Sequence, residues 1–582
     1  MSQKVHKKRF LKLFHGKPAR IFSIILIIAV ALLLLSAAFE NMSAVPSNFV
    51  PRTNSADDPV NGIYVSPNGN DSTATGSINA PYKSINTALA AAHSGDTIIL
   101  RGGTYREGIN VRIRIPNITI KSQKSEWAII DLTTYNPGRN EDSGVYFDVG
   151  SSGGKLQGVE VMGGFYAVCT ETKWDWGDPN DRAGASNIII EDCILHDSQY
   201  EVIKIKPNCN NIIIRHNEIY NAGRAEFGTS DWINGEAHAE AIDNVNGDNM
   251  IVQNNYIHDV NIGLYAKGGA ADVLIENNHI EHVTGAGIMV GFDTSPEWFD
   301  LTVNPKYYES IRCIVRNNLI IDTGWEGIGL YAAQDAQVYS NTVINTNNGP
   351  GQYHSAIYFG LTYQDWESYA GRPASIKPSI HHNIVCQPAS FNRQMIEIRY
   401  SADLGGMSAL EGNPVMNNNC YYIAGRKASF TDCRPGSTLE NAGLSAWQAH
   451  ISGDSNSLEV DPVLDANYMP TNSQCTGMGA ISSLPTPPTA TPTSTLTPTS
   501  GSSEGSSASS GGSSSSKPSP SKSAIPSDSS PSVPVSEGNN NVSPSPVITE
   551  PTFWTFSHIV FAGCAVLVVV VVVSMLLQKK HK

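Results

Sequence analysis

NIIIEDCILHDS (187–198), NIIIRHNEIYNAG (211–223), NMIVQNNYIHDV (249–260), DVLIENNHIEHV (272–283), CIVRNNLIIDTG (313–324), AQVYSNTVINTN (336–347) and PSIHHNIVCQ (378–387) are one phrase written seven times. Each is a short apolar run, a polar pair, a second apolar pair and a turn. The equivalent positions are Cys193, Asn217, Asn255, Asn278, Asn318, Asn341 and Asn383, separated by 24, 38, 23, 40, 23 and 42 residues. A step of about 23 residues alternating with steps that carry an insertion marks a solenoid. One unit has too little apolar surface for its own core and buries its hydrophobic face only when the next coil stacks on it. Ile and Val in short runs bounded by Asn, Asp and Gly, with period-two alternation, make the units strands rather than helices. The chain is therefore expected to be all-β: a right-handed parallel β-helix over residues 61–480, with the Asn column at a turn, where stacked amides bond along the stack and tolerate unusual backbone angles.

A second strand in each coil reads EVIKIKP (201–207), EAIDNVN (240–246), IGLYAKG (262–268), AGIMVGF (286–292), EGIGLYA (326–332), SAIYFGL (355–361) and MIEIRYS (395–401). Its alternation points Ile203, Ile242, Leu264, Ile288, Ile328, Ile357 and Ile396 inward. The outer columns are then Lys204, Asp243, Tyr265, Met289, Gly329, Tyr358 and Glu397, beside Lys206, Val245, Lys267, Gly291, Tyr331, Gly360 and Arg399. Cations, carboxylates, tyrosines and small residues on one face suit a polysaccharide groove; an ordinary solvated sheet face has much the same composition.

The two ends differ from the repeats. Seven Lys or Arg in residues 1–20 precede an apolar run at 21–38, so 1–44 reads as a secretory signal or a retained signal anchor. Residues 484–552 collapse into Pro, Ser, Thr and Gly, which reads as a disordered stalk. The apolar run 559–577, followed by Lys579, Lys580 and Lys582, reads as a membrane helix with a cytoplasmic tail at 578–582. The expected location is the cell membrane, with the solenoid outside. Ten of the 39 Lys and Arg lie in the two tails, leaving 29 against 53 acidic residues for the rest. Such an acidic ectodomain argues against nucleic acid as a partner. Eight of nine cysteines lie outside the membrane run; Cys420, Cys433 and Cys475 cluster late, and spacing alone does not pair them.

YVSPNGNDSTATGSINAPYKSINTALAAAHSGDTIILRGGTYRE (64–107) resembles the opening of secreted right-handed β-helix proteins of the pectate-lyase-like superfamily, and LSAWQAHISGDSNSLEVDPVL (444–464) resembles their closing segment. The resemblance implies an amphipathic helix near residues 84–92 capping the first coil. Lyases, epimerases, glycoside hydrolases, tailspikes and adhesins share that fold, so it leaves the chemistry open. The chain lacks the G-H-G and R-I-K pair of polygalacturonases, the R-x-P-x-x-R of the main pectate lyases and the Y-G-x-D-P-H-D of alginate epimerases. The nearest chemistry is that of β-helix lyases with a lysine base.

The site expected on these grounds uses Lys267, or else Lys206 or Lys204, as base, and Tyr265 as acid. Lys267 is favoured because two glycines follow it, where a sugar can approach the backbone. Arg399, Glu397, Tyr331 and Tyr358 would hold the glycan, with Trp232, Trp298 and Trp366 on three inserted loops as walls. Glu236, Glu240 and Asp243 would bind Ca²⁺, which takes six to eight oxygen ligands. The expected function is β-elimination on an acidic, uronate-containing glycan. The alternatives are a carbohydrate-binding or adhesin β-helix without catalysis and, behind that, a hydrolase or epimerase.

Overall fold

The computed structural model describes residues 57–133, 144–174, 181–223, 239–349, 354–362 and 371–480. The expected leader, stalk, membrane span and basic tail lie outside them, as do Trp232, Glu236 and Trp366. Among the described residues no helix is long and apolar enough to cross a membrane.

Among the described residues, three long sheets, of 12, 11 and 12 strands, wrap one core. Each coil gives one strand to each in turn, as Ile251–Gln253, Tyr256–Val260 and Ile262–Lys267 do for the first, second and third sheets. Among the described residues of these sheets, pairing is parallel and in register, broken only where Leu439–Ala442 closes the third sheet antiparallel. Register follows from the period-two pattern, because a one-residue slip would turn every inward Ile to the outside. In the third sheet Ile203, Ile242, Leu264, Ile288, Ile328, Ile357 and Ile396 pair in succession and are fully buried.

The asparagine column is a continuous buried ladder. From Asn255 onward each side-chain oxygen accepts two bonds of about 3.0 Å from the Asn one coil earlier, one from its backbone N–H and one from its amide, as Asn278 does for Asn255 and Asn318 does for Asn278. Each Nδ2 also donates to a backbone carbonyl, so every amide group is satisfied inside the stack. The unusual backbone angle sits one residue earlier than the ladder itself: Asn254, Asn277, Asn317, Ser340 and His382 carry φ near +55°. The ladder continues past Asn383 to Asn419 and ends on Asp454 and Ser457, which take the last amide and N–H.

Two helices close the ends. α1 (Ile85–Ala91) covers the first coil with Ile85, Ala88 and Leu89; its first turn is held by Ser84 and by the Glu107 carboxylate, which accepts the N–H groups of Ile85 and Asn86. α2 (Leu444–Ile451) covers the last coil with fully buried Trp447, stacked on Phe430 at 5.4 Å.

The outer face of the second sheet carries a ladder of rings: His196 on Tyr220 at 4.6 Å, Tyr220 on His258 at 4.9 Å and His258 on Tyr256 at 4.3 Å. Burial opposes charge on His196, but the carboxylates of Asp197 and Glu160 outweigh it and raise the imidazole to about 9. Because the folded value lies above the unfolded one near 6.5, its stabilisation is complete below that pH and is lost as pH rises through about 9. Thermal scans from pH 6 to 10 are expected to show a stability loss on the order of 2 kcal/mol that His196→Gln abolishes; an unchanged slope in the variant would place the titration elsewhere.

Candidate active site

Charge on the outer face of the third sheet concentrates where Ile203–Ile205, Glu240–Val245 and Ile262–Lys267 lie side by side. Lys204 donates to Glu201 at 3.0 Å and to Asp243. Glu201, Glu240 and Asp243 bring carboxylate oxygens within 4.8 Å of one another. Burial, then the charges of Glu201 and Asp243, push Glu240 up to about 8. Burial also works against ionised Asp243, yet Lys204 and Lys267 prevail and hold it below the usual carboxylate range. Glu201 Oε2 and Asp243 Oδ1 are buried without a hydrogen-bond partner.

The three lysines expected as bases differ in commitment. Lys204 has two carboxylate partners, and Lys206 donates to Glu171 at 3.0 Å. Lys267 has a looser 3.7 Å contact with Asp243 and lies 4.3 Å over the Tyr265 ring. Burial disfavours its charge, but Asp243 outweighs this and raises Lys267 above its ordinary value. A base needs the opposite shift, so the cluster as it stands holds Lys267 as an ammonium. Tyr265 is buried and pushed well above 10, by burial first and then by Glu240.

The glycines after Lys267 do not open the surface as the sequence suggested. Gly268 and Gly269 adopt φ of +70° and +97° in a turn whose first N–H donates to buried Glu309 at 2.9 Å. Glu309 also pairs with Arg372 at 3.0 Å and receives the N–H of Thr294, fastening the 294–310 insertion to the solenoid. Within that insertion Trp298 is half-buried, its carbonyl bonded by Asn246.

Beyond the ionic cluster the face is aromatic and mostly covered, where the sequence suggested an open groove. Tyr265, Met289, Tyr331 and Tyr358 are buried and pack with Phe292 and Trp325. The small residues in the outer columns make room for protein: a Cβ on Gly360 would stand 1.8 Å from the Tyr331 ring, and one on Gly329 would stand 2.6 Å from it. Tyr331 donates to Glu326 at 2.6 Å, and Glu326 also bonds His354 Nδ1, whose ring stacks on Tyr358 at 4.4 Å. Burial opposes ionised Glu326, but His354 and Tyr331 hold it below its ordinary value. Glu397 is clasped by Arg393 and Arg399 at 3.0 Å each. Arg399 follows a strand four steps along the sheet from the one that carries Lys267, about 19 Å at 4.8 Å per strand, too far to touch a group reacting at Lys267.

Two acidic groups that the sequence reading gave no role, Glu201 and Glu326, share a position with Glu240, which it placed in the cation site. Glu201, Glu240 and Glu326 each stand two residues before an inward Ile, in EVI, EAI and EGI, forming a third outer column at the strand entry. That repeated E-x-I was the available signal. His354, by contrast, is a lone His before a strand, with no pattern to single it out.

A family profile described as "Right handed beta helix region" matches residues 229–360, and one described as "Protein of unknown function (DUF1565)" matches residues 67–120. Pectate lyase PEL9 of Emericella nidulans is 53% identical over 51 residues, which is 9% of this chain and only 12% of that protein's length. Among solved structures, pectate lyase Pel9A is similar over 61% of this chain and 81% of its own at 16% identity and a TM-score of 0.40. The surface adhesin PfbA of Streptococcus pneumoniae is similar over 61% and 90% at 13% identity and a TM-score of 0.41. In fold the chain is a right-handed parallel β-helix, and these matches single out no one family.

Proposed function

We propose that the protein is an extracytoplasmic, membrane-anchored polysaccharide-active β-helix whose reaction is β-elimination on an acidic, uronate-containing glycan. The observation that carries this reading is the juxtaposition of three carboxylates within 4.8 Å, two of their buried oxygens lacking hydrogen bonds, with the loosely held Lys267. Clustered oxygen donors with unused lone pairs fit Ca²⁺. Glu201, Glu240 and Asp243 are the residues that would hold it, with Glu236 outside the described residues. When bound, it would supply positive charge beside a uronate carboxylate and the enolate formed from it.

The chain's own groups have separable tasks. Lys267 takes the proton α to the uronate carboxylate, once its hold on Asp243 is relaxed and its basicity falls toward neutral pH. Tyr265, kept protonated by burial and Glu240, gives a proton to the departing glycosidic oxygen. Lys204 keeps Glu201 and Asp243 in place, and Lys206 remains an alternative base. Arg399 and Trp298 would contact sugars away from the scissile bond, whereas Tyr331, Tyr358 and Glu397, being buried, support the face from beneath. The local identity with a fungal pectate lyase supports a uronate substrate. The raised Lys267 favours the second reading, a glycan-binding β-helix without catalysis.

The two readings separate on the purified protein incubated with pectate, alginate and glycosaminoglycans, with Ca²⁺ or with a chelator. The expected result is an unsaturated product absorbing in the near ultraviolet, present with Ca²⁺ and lost with chelator. Reducing ends without that absorbance would indicate a hydrolase, and retention of glycan without any product would establish the binding reading.

A further inference from the structure

We propose that Cys420 and Cys475 form a disulfide that latches the segment 458–480 onto the outer face of the second sheet. The inference does not depend on any glycan activity. After α2 the chain returns to that sheet: Leu458 pairs beside Cys420, donating to the Asn419 carbonyl and accepting from the Tyr421 N–H at 2.8 Å each. It then folds back across earlier coils, where Gly479 N–H donates to the His382 carbonyl at 2.7 Å and Ala480 N–H to Thr342 Oγ1 at 2.8 Å. The strap thus spans the strands that hold Cys420, Ile384 and Thr342, which are neighbours in register.

Its anchor is a small apolar cluster of Ile384, Cys420, Cys475 and Met478, with Leu458, Val460 and Leu464 beside them. Within it the sulfurs of Cys420 and Cys475 stand 3.2 Å apart, both residues fully buried. Two thiols 55 residues apart in sequence meet here with no polar group between them. Cys433, which sequence alone groups with them, lies instead beyond the third-sheet strand Phe430–Asp432, its N–H on the Ile398 carbonyl. Cys386 is the only competing thiol in this cluster among the described residues, and it pairs in register with Tyr422, two positions from Cys420.

The bond forms by thiol–disulfide exchange with a disulfide oxidant such as oxidised glutathione. One cysteine thiolate attacks the oxidant and expels a thiolate; the second attacks the mixed disulfide and expels the other. One oxidant disulfide is reduced to two thiols, which take up the two cysteine protons, and one protein disulfide is gained. Because both sulfurs are buried once the strap is seated, exchange occurs while the strap is undocked, and the finished bond is shielded from reduction. A crosslink closing a long segment restricts the undocked state most, so the latch acts by keeping the strap seated.

The test takes the full chain in detergent, oxidised with glutathione, alkylated and digested without reduction. A peptide pair joining Cys420 to Cys475 and a fall from nine free thiols to seven are expected. Recovery of both residues as alkylated thiols, or a Cys386–Cys420 link, would overturn the proposal. A second measurement on the same unmutated protein is limited proteolysis: cleavage within 458–480 is expected to be at least tenfold faster after reduction. Equal rates in the oxidised and reduced forms would overturn the latch. Cys475→Ser should match the reduced protein in this assay.

Discussion

Ile328→Asp is expected to leave no folded solenoid. Ile328 is fully buried, paired with Ile288 on one side and Ile357 on the other, in a column of aliphatic side chains. The replacement forfeits the aliphatic packing, about 2–5 kcal/mol for a large-to-small change in a core. It also buries a carboxyl group that must remain unpaired or take up a proton, at several kcal/mol more. That sum approaches the whole stability of an ordinary domain. Coils depend on their neighbours, so failure at this mid-stack position propagates in both directions. The contrasting variant is Tyr331→Phe, in the outer column of the same strand. Tyr331 is itself buried, and its hydroxyl bonds Glu326, so this outer position is neither the solvated face nor the open groove that alternation alone suggests. Keeping the ring and deleting the hydroxyl should cost about 1–3 kcal/mol and preserve the fold. Circular dichroism and size exclusion on both variants check this; comparable losses would show that the inside and outside columns are wrongly assigned.

The stack was legible because its determinants repeat. The inward Ile column and the Asn ladder recur at every coil, so errors at one position are corrected by the next. The end of the ladder was not legible: Asn419 hands over to Asp454 and Ser457, a single event in a segment without the repeat. The candidate site was legible in part for a related reason. Period two places Lys204, Asp243 and Lys267 on one face, and the register brings them together. Alternation says nothing, however, about what lies over a face. The Tyr331 ring resting on Gly329 and Gly360, and the Glu309–Arg372 pair behind Gly268, are set by side-chain rotamers and by chain segments distant in sequence. Glycines that read as openings for a ligand are therefore occupied by the protein itself.

Lys267→Ala is expected to abolish unsaturated product while leaving the cation site able to bind. Removing a positioned general base costs roughly 10²–10⁴-fold in rate. Little structure depends on this side chain: its ion-pair contact is the 3.7 Å approach to Asp243, which keeps Lys204 as a closer partner. Because the variant removes a positive charge beside Glu240 and Asp243, Ca²⁺ should bind it at least as tightly as it binds the wild type. Calorimetric Ca²⁺ titration beside the near-ultraviolet assay therefore distinguishes a base from a structural lysine, since a structural role would lose binding and product together. Lys204→Ala is the matching control: it leaves Glu201 and Asp243 without their hydrogen-bonded cation and is expected to destabilise the cluster as well as to slow turnover. Full activity of Lys267→Ala would move the base to Lys206 or Lys204. If the wild type retains a uronate glycan but forms no product from it, the lysines and carboxylates of this face are an internal ion network, and the protein is a binder.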